Sequence, residues 1–422
     1  MRHRGAVWRP ASLDAADKKE QQSKGKCTRS GPGHGGRGES ALGRQGRADS
    51  CDDFIAGEAR LASALVYREM KLRLWGYIAA TAILAVTGTT IGAKAQDQNA
   101  LKIYFADVEG GQATLFVTPL GESLLVDTGY PGFNGRDSDR IVALCKHAGI
   151  SRIDNVLITH YHVDHVGGVP ELAAKIPIGR FIDHGVDTEI GDAATRSLWK
   201  GYQETLAKGS VARLTVKPGD VLPIKGMNVK IVSGNGEQID KPLSGSGAGS
   251  RNPACLHSGM KFVEDNENDR SLGMIITFGR LRIADLGDLT WAKERPLMCP
   301  VDMLGRVDIY IVSHHGFARS SSPALVDAIA PRVAIMENGP IKGDDPSAWE
   351  IIQSSPRIAD GKGALWQLHA GQSPGARNVP DDRIANLPGP DAAHFLELTA
   401  RKDGSFAVTN ERTGGSTEYP SK

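Results

Sequence analysis

The sequence predicts an α/β fold for the part of the chain beyond residue 100. Short apolar runs typical of strands alternate there with helical patterns, and residues able to bind metal ions follow directly after several of the strand-like runs. In α/β folds, functional groups gather where strands end. Hydrophobic residues make up 40% of the 422 residues, which is enough for a large core.

The first half of this region contains three strands, a helix and a fourth strand. These elements are predicted over residues 102–108, 112–118, 122–129, 141–146 and 155–159. The helical pattern stops at Ala148-Gly149, because glycine commonly ends helices. This order places the next segment, which starts at His160, at the end of a strand.

The second half adds shorter elements, an insertion and a C-terminal β element. A helix and three strands are predicted over residues 170–175, 181–183, 281–288 and 307–313. Residues 235–268 form the insertion, and its Gly- and Ser-rich part, residues 243–251, is interpreted either as a mobile lid or as a solvated loop. Strand-like runs near residues 362–410 predict a β element that packs on the same domain.

The first 95 residues differ in composition from the rest of the chain. Residues 1–69 lack apolar periodicity, so we expect them to be disordered or to lie outside the native protein, with translation starting at Met70. A basic start, an apolar stretch and the small-x-small site Ala93-Lys94-Ala95 predict a secretory signal peptide over residues 70–95. An uncleaved membrane anchor is the alternative. We therefore expect residues 96–422 to be exported, periplasmic or secreted, with no stable membrane span after cleavage.

The charge of the chain is distributed unevenly. The whole chain carries a net charge of +1, of which residues 1–50 contribute +6 and residues 51–95 contribute +1, so residues 96–422 carry −6. An acidic body lacks the positive surface of a strong, non-specific nucleic-acid binder. The composition therefore weighs against DNA as the main substrate, which leaves a small-molecule or phosphoester substrate possible, and it leaves the oligomeric state open.

Three cysteines lie in the part that we expect to be exported. An oxidising compartment permits disulfides. Cys255 and Cys299 both lie in loop-like segments beside proline and form the candidate pair, although three pairings are open. Cys145 lies on a helical pattern and is expected to be a buried small hydrophobe.

A dense group of metal-capable side chains follows the fourth strand. His160, His162, Asp164 and His165 fall within six positions, and Gly167-Gly168 comes next. Residues two apart at a strand end project to the same side, so His160 and His162 can share one ion, while the turn brings Asp164 and His165 toward a second point. Imidazole nitrogen and carboxylate oxygen are ligands that zinc accepts. The pattern predicts a metal site here.

These residues resemble a motif of a known family. The order His160-x-His162-x-Asp164-His165, preceded by residues 125–129 (Leu-Val-Asp-Thr-Gly), is similar to the metallo-β-lactamase superfamily of metal hydrolases. Residues 107–113 and 313–316 look most like the branch that contains the hydrolase domain of competence DNA-uptake proteins and the phosphocholine esterases. The resemblance covers roughly residues 101–340. It implies an αββα four-layer sandwich with a binuclear metal site.

The resemblance also implies a ligand set for two ions. One ion would be held by His160, His162 and His184 and the other by Asp164, His165 and His315, with Asp288 and a hydroxide bridging them. Asp285 is the alternative to Asp288. His314 is assigned to contact the ligands or the substrate, and the reverse assignment of His314 and His315 stays open. Asp127 is expected to orient a ligand histidine. Two ions about 3.5–4 Å apart lower the pKa of the bridging water and polarise the substrate.

The expected activity is hydrolysis with two zinc ions per chain, manganese or iron also being acceptable to these ligands. Asp164, His314 and Asp127 are the expected catalytic residues, and Arg270 and Lys342 are candidate contacts for an anionic substrate. The branch favours phosphodiesters or phosphoesters. Carboxylic ester, lactone or β-lactam hydrolysis is the alternative, and a non-catalytic binding protein is a third hypothesis. The chain lacks the Gly-His-Thr segment of lactamases and glyoxalases and the Gly-His-Pro of the competence branch, which leaves the substrate open.

Overall fold

Two β-sheets packed face to face, with helices on their outer sides, make up the described chain. The computed structural model describes residues 99–189, 191–209, 211–259 and 265–422. The regions interpreted above as an N-terminal extension, residues 1–69, and a signal peptide, residues 70–95, lie outside the described residues. None of the helices in the described ranges has the length and apolar character that a membrane crossing requires.

The strands of the first sheet come from both ends of the described chain. They are β1 (Leu101–Phe105), β2 (Thr114–Val117), β3 (Ser123–Val126), β4 (Ile153–Leu157), β5 (Ile178–Asp183), β6 (Ala212–Thr215), β15 (Leu396–Ala400), β16 (Phe406–Asn410) and β17 (Ser416–Tyr419). Their order is β17-β16-β15-β1-β2-β3-β4-β5-β6. β3, β4 and β5 run parallel to one another, so their carboxyl ends meet at one edge.

The second sheet takes its strands from the middle of the chain. They are β7 (Asn228–Gly234), β8 (Glu237–Gln238), β9 (Gly273–Phe278), β10 (Leu281–Asp285), β11 (Ile309–Ile311), β12 (Val333–Met336), β13 (Ala364–His369) and β14 (Ile384–Asn386). Their order is β14-β13-β12-β11-β10-β9-β7-β8. β10, β11 and β12 are again parallel.

Seven described α-helices accompany the sheets. They are α1 (Arg136–His147), α2 (Val169–Ala173), α3 (Ala193–Gly209), α4 (Trp291–Met298), α5 (Pro323–Ile329), α6 (Pro346–Ser354) and α7 (Pro356–Ala359). Serine at the start of α5 accepts a bond from the Leu325 amide through its own side chain, as helix-capping serines do.

The core is divided into three apolar layers by the alternation of strand side chains. In β1, Leu101, Ile103 and Phe105 pack between the two sheets, whereas Tyr104 faces the side covered by α1 and α3. A third cluster joins the second sheet to α5 and α6. Because successive strand residues point to opposite faces, each sheet is buried on both sides, which gives the four layers of the expected αββα sandwich.

The C-terminal segment is part of both sheets and does not form an appended β element. β13 and β14 extend the second sheet, while β15 pairs with β1 in the first sheet, which β16 and β17 then extend to its edge. The strands near residues 362–410 pack on the same domain but are divided between its two sheets. The run of strand-like sequence did not reveal that its strands pair with two different partners.

The Gly- and Ser-rich part of the insertion is a mostly exposed loop that is held to its neighbours by backbone hydrogen bonds. Its backbone bonds to the segment that precedes β11, with the Leu243 amide donating to Met303 and the Gly249 amide donating to Asp302, each at 2.8 Å. This segment lies at the amino end of β11, away from the carboxyl edge. The expected pair Cys255 and Cys299 forms a disulfide that fastens the insertion to the end of α4, and Cys145 is buried and free.

Candidate metal centre

The metal-capable residues lie at the carboxyl ends of parallel strands from both sheets. Asp127 follows β3, the segment from His160 to His165 follows β4, Asp288 follows β10, and His315 follows β11. The two carboxyl edges face each other across the sandwich. This is where α/β folds place their sites.

The two glycines after His165 let this loop pack against its neighbour. A Cβ atom at Gly168 would lie 2.1 Å from the Thr128 carbonyl oxygen, and one at Gly167 would lie 2.1 Å from the Val163 carbonyl oxygen. Any larger residue at either position would displace the loop. The Gly-Gly pair therefore holds Asp164 and His165 against the end of β3.

Four side chains form one compact donor group. The candidate ligand atoms of Asp164, His165, Asp288 and His315 all lie within 4.8 Å of one another, and all four residues are buried. The His165 Nε2 atom lies 3.2 Å from Asp288 Oδ2 and 3.3 Å from Asp164 Oδ2. The His315 Nε2 atom lies 3.1 Å from Asp164 Oδ2.

This donor group fits a divalent metal ion. Two carboxylates and two imidazoles are ligands that zinc and similar ions accept. The Asp288 Oδ1 atom is buried and has no hydrogen-bond partner among the described residues, and such an atom is costly unless something satisfies it. The group corresponds to the second ion of the expected pair together with its bridging carboxylate.

Hydrogen bonds on the far side of each ring decide which nitrogen faces the group. His165 donates from Nδ1 to Asp127 Oδ2 at 2.7 Å, which is the role expected of Asp127. His315 donates from Nδ1 to the Glu337 carbonyl at 3.2 Å. Both Nε2 atoms therefore face the carboxylates of Asp164 and Asp288. Hydrogen-bond partners of metal-binding histidines commonly orient the rings in this way.

The electrostatics of the group call for a positive charge at its centre. Burial alone would raise the pKa of Asp164 and of Asp288, but the neighbouring His165 charge holds both well below the usual range for aspartate. Burial would lower the pKa of His165, yet Asp288, Asp164 and Asp127 raise it well above its ordinary value. The carboxylates are thus ionised beside a protonated His165, and a divalent ion would take the place of that proton at the centre of the group.

His160 and His162 lie beside this group and point at a common position. The His160 Nε2 atom is 3.1 Å from His162 Nδ1 and 3.9 Å from Asp288 Oδ2. His160 donates from Nδ1 to Thr159 Oγ1 at 3.0 Å, and that hydroxyl donates to Asp127 at 2.6 Å. The pair is arranged to share an ion next to Asp288.

The structure does not place His184 with His160 and His162. Its ring packs against Tyr161, with centroids 4.7 Å apart, and its Nε2 atom donates to Glu267 Oε2 at 3.0 Å. Tyr161 alternates with His160 and His162 along the extended segment and therefore points to the opposite side. The buried Nδ1 atom of His184 has no hydrogen-bond partner among the described residues. The structure does not bring His184 to His160 and His162, and its assignment as the third ligand stays a prediction.

Asp285 has a supporting role distinct from that of Asp288. Gln112 donates to Asp285 Oδ2 at 3.0 Å, and the Gly287 amide donates to Oδ1 at 3.2 Å. Burial raises the pKa of Asp285 to about 7. It braces the turn that delivers Asp288, while Asp288 itself belongs to the donor group.

The adjacent histidines after β11 diverge. His315 joins the donor group, whereas His314 lies at its rim with Nε2 3.5 Å from Asp288 Oδ2 and a side chain that is 11% exposed. Both have left-handed backbone, with φ of 56° and 55°, which is uncommon for residues other than glycine. Burial lowers the pKa of His314, so its ring is neutral near pH 7.

The two candidate substrate cations differ in position. Lys342 contacts Asp164 and donates to the Tyr130 hydroxyl at 2.9 Å, which brings an ammonium group to the donor group. Arg270 instead forms an ion pair with Asp265 at 2.5 Å, and its carbonyl accepts a bond from the Asn235 amide. The Arg270 side chain is thus paired with a carboxylate of the insertion, and its assignment as a substrate contact stays a prediction.

Three further residues complete the site and were not identified from the sequence. Glu189 Oε2 accepts from His162 Nε2 at 2.9 Å and also from the Glu267 amide at 3.1 Å. Bonds from His184 and Thr188 outweigh burial and lower the pKa of Glu267 to about 2. Tyr130 holds Lys342. Of these three residues, only Tyr130 could have been suspected from the sequence, because it directly follows the Leu-Val-Asp-Thr-Gly segment.

Residues 106–250 match the model of the metallo-beta-lactamase superfamily. The chain is 28% identical over 89 residues to a hydroxyacylglutathione hydrolase of Rhodopseudomonas palustris (strain HaA2), covering 21% of this chain and 28% of that protein. It is 39% identical over 62 residues to a hydroxyacylglutathione hydrolase of Stenotrophomonas maltophilia (strain R551-3), covering 15% of this chain and 21% of that protein. The chain thus spans only about a quarter of the length of these curated relatives.

Two solved structures with similar architecture are more distant in sequence. The metallo-beta-lactamase fold protein YhfI from Bacillus subtilis is 15% identical, with a TM-score of 0.39 over 64% of this chain and 96% of that protein. CmlA, a diiron beta-hydroxylase from Streptomyces venezuelae, is 17% identical, with a TM-score of 0.35 over 65% of this chain and 53% of that protein.

The family match falls on the segment that carries His160, His162, Asp164 and His165, and the four observed layers agree with it. The protein has the metallo-β-lactamase fold, and the match over residues 106–250 supports its placement among the metal-dependent hydrolases of the metallo-β-lactamase superfamily.

Proposed function

We propose that the protein is a metal-dependent hydrolase of anionic esters, with phosphodiesters and phosphoesters as the first substrate class. The observation that carries this proposal is the position of Lys342, whose ammonium group contacts Asp164 and bonds to the Tyr130 hydroxyl at 2.9 Å. Lys342 is partly buried beside the donor group, and although burial lowers the pKa of its ammonium group, Asp164 and Tyr130 raise it above the ordinary value. A fixed cation next to the reacting centre favours a substrate that carries negative charge.

The donor set suits two divalent ions, one of which would have more protein ligands than the other. Asp164, His165, Asp288 and His315 would hold one ion, and His160 with His162 would hold the other beside Asp288. Zinc is the first choice, with manganese or iron also compatible. When bound, such ions polarise a substrate oxygen and lower the pKa of a water molecule.

The protein's own side chains supply binding and orientation. Lys342 and Tyr130 bind a charged substrate oxygen, and Asp127 fixes the ring of His165. His314 lies at the rim with a neutral ring, so its Nε2 atom is suited to exchange a proton or a hydrogen bond with the leaving group. The branch resemblance of residues 107–113 and 313–316 supports phosphoester chemistry, and the segment over residues 70–95 supports export to the periplasm or the medium.

Hydrolysis of a carboxylic ester or thioester is the second candidate. The two curated relatives are hydroxyacylglutathione hydrolases, which act on a thioester. Lactones and β-lactams belong to the same alternative. The chain lacks the Gly-His-Thr segment of glyoxalases, and the ring of His184 is directed elsewhere, so the ligand set departs from theirs.

The proposal is tested by assaying the full chain, loaded with zinc or manganese, on four substrates. These are bis(p-nitrophenyl) phosphate, p-nitrophenyl acetate, an S-acyl glutathione and a chromogenic cephalosporin. We expect Asp288→Asn to abolish turnover. Lys342→Met should reduce kcat/KM for the phosphodiester about tenfold to hundredfold, because a hydrogen bond to a charged group contributes about 1.5–3 kcal/mol, and should affect neutral p-nitrophenyl acetate much less.

The exposed Asp240→Asn substitution in the insertion is the matched control and should leave all four activities unchanged. Turnover of the thioester with none of the phosphodiester would select the second candidate. Metal binding without turnover of any substrate would indicate a binding protein that retains the fold.

A further inference from the structure

Apolar side chains are exposed around the metal centre. Seven large apolar side chains are exposed in the described ranges, and four of them lie on loops that carry site residues. These four are Phe133, Val163, Val186 and Ile341. Single exposed apolar residues are ordinary, but several around one site mark a binding surface.

Two of these apolar side chains are linked to the cation of the site, Phe133 through Tyr130 and Ile341 through its place in the chain. The Phe133 ring lies 6.3 Å from the Tyr130 ring, edge to face, and Tyr130 bonds to Lys342. Ile341, which is 78% exposed, directly precedes Lys342. Val163 lies between the metal-capable residues His162 and Asp164. An anion-binding pair therefore borders an apolar rim.

The loop that presents Phe133 is held in place at a conformational cost. Phe133 and its neighbour Asn134 have left-handed backbone, with φ of 48° and 58°, which is unusual for a bulky residue. The loop is fixed because the Gly132 amide donates to Glu171 at 2.8 Å and the Gly135 amide donates to the Gly132 carbonyl at 2.8 Å. The Arg136 guanidinium lies 4.5 Å from the centroid of the Phe133 ring, and Phe133 is still 65% exposed, so the fixed loop presents an aromatic ring beside the site.

We propose that the substrate is a free amphiphile whose hydrolysable anionic group is joined to an alkyl or aryl chain. This inference rests on the proposed function, since it places the anionic group at Lys342 and Tyr130. The chain then lies across Phe133 and Ile341, where it covers apolar surface that water otherwise contacts. The charge of Lys342 positions the anionic group, and the exposed side chains of Phe133 and Ile341 favour substrates with an apolar substituent.

Binding of alkylphosphonates tests this inference without turnover, because their carbon–phosphorus bond replaces the hydrolysable ester bond. The metal-loaded full chain is titrated calorimetrically with methyl-, butyl-, hexyl- and octylphosphonate below their micellar concentrations. A fully buried methylene contributes about a fourfold gain in affinity, so a rim that covers half of the chain gives about twofold per methylene. We expect octylphosphonate to bind about a hundredfold more tightly than methylphosphonate.

Variants of the rim make the test specific. The double substitution Phe133→Ser with Ile341→Ser should reduce the gain from methyl to octyl to less than about tenfold, and Ile341→Ser alone, at a site with little packing, should give an intermediate gain. Leu256→Ser, which removes a 76% exposed side chain from the insertion, is the matched control. Lys342→Met should weaken every phosphonate by a similar factor.

The possible outcomes separate this inference from the proposed function. If binding is tight but does not depend on chain length, or if the dependence on chain length survives in the double variant, the amphiphilic substrate is excluded and the proposed function is unaffected. Preserved chain-length dependence without turnover of any phosphoester overturns the proposed reaction alone. Failure to bind any phosphonate overturns both, and binding only to vesicles of anionic lipid would overturn the free amphiphile in favour of a membrane surface.

Discussion

Carboxylates and carbonyls behind the histidines decide which ring nitrogen faces the metal centre. Asp127 accepts from His165, the Glu337 carbonyl accepts from His315, and Glu189 accepts from His162. Because each bond uses one nitrogen as a donor, the other nitrogen keeps its lone pair for a metal ion. The site is thus specified by a second layer of side chains as well as by its ligands.

The Glu189 contact leads to a prediction about metal affinity. Glu189→Gln should weaken binding of the ion held by His160 and His162 about tenfold to hundredfold, while the ion held by the four-residue donor group keeps its affinity. Competition against a fluorescent chelator measures both constants on the full chain.

The exposed Glu237→Gln is the control for this measurement and should match the unaltered protein. If Glu189→Gln leaves both affinities unchanged, the carboxylate has no part in positioning His162.

The sequence identified the donors of the site better than their directions. Asp164, His165 and His315 were expected to serve one ion, with Asp288 as the bridge. The structure brings the four together because they follow strands whose carboxyl ends meet across the two sheets. His184 follows such a strand too, but its ring turns toward Tyr161 and Glu267. Glu189 lies 27 positions beyond His162, so no local pattern linked it to that histidine.

At the level of secondary structure, a buried carboxylate ties α4 to the start of α5. Glu294 accepts from the Ser321 and Ser322 amides at 2.6 and 2.8 Å, and these amides lie just before the first turn of α5. The bonds favour the ionised form, but burial outweighs them and raises the pKa of Glu294 from 4.5 to about 7. This contact lies apart from the metal centre.

This raised pKa makes stability depend on pH in a definite direction. Between pH 4.5 and about 7 the folded protein keeps the Glu294 proton that the unfolded chain has released. The contribution of Glu294 to the free energy of unfolding is therefore fully present below pH 4.5 and declines as the pH rises to 7. Glu294→Gln has no such proton. The difference in free energy of unfolding between the two proteins should shrink from pH 5 to pH 8 by at most about 3 kcal/mol.

Urea denaturation of both proteins at the two pH values provides the measurement, with Glu237→Gln as the control. A difference that stays constant between pH 5 and pH 8 would show that Glu294 is ionised throughout.

For the whole molecule, the C-terminal strands are part of the main architecture. β15 pairs with β1 along five residues, and Lys102 forms an ion pair with Glu397 at 2.5 Å across this junction. Without β15, β16 and β17, the apolar face of β1 would lose its neighbours Leu396 and Leu398 in the layer between the sheets.

A chain that ends at residue 390 should therefore unfold without a cooperative transition, and it should not bind metal in a defined stoichiometry. The physical reason is that it leaves β1 as an open edge and exposes part of the central core. Thermal unfolding followed by circular dichroism measures the loss, and a chain that ends at Pro420 is the control. A sharp transition in the shorter chain would contradict the assignment of these strands to the sheet.

The sequence predicted the layers of this architecture but not all of its pairings. Period-two and helical patterns located β1 to β5, β10, β11 and two of the seven described helices, since burial on one or two faces leaves a clear trace. Pairing between β1 and β15, or docking of residues 243–251 before β11, depends on contacts between distant segments. Such contacts leave no local pattern, and both were missed.

The pairing of β1 with β15 also determines when the site can form. Lys102 and Glu397 lie 295 positions apart, and a ribosome releases the amino-terminal segment first. The strands that carry His160 and Asp164 are then made long before the strand that completes their sheet. Because long-range pairings form late, we infer that metal is acquired only after synthesis of the entire chain, so an interrupted chain is inactive and does not retain a partial centre.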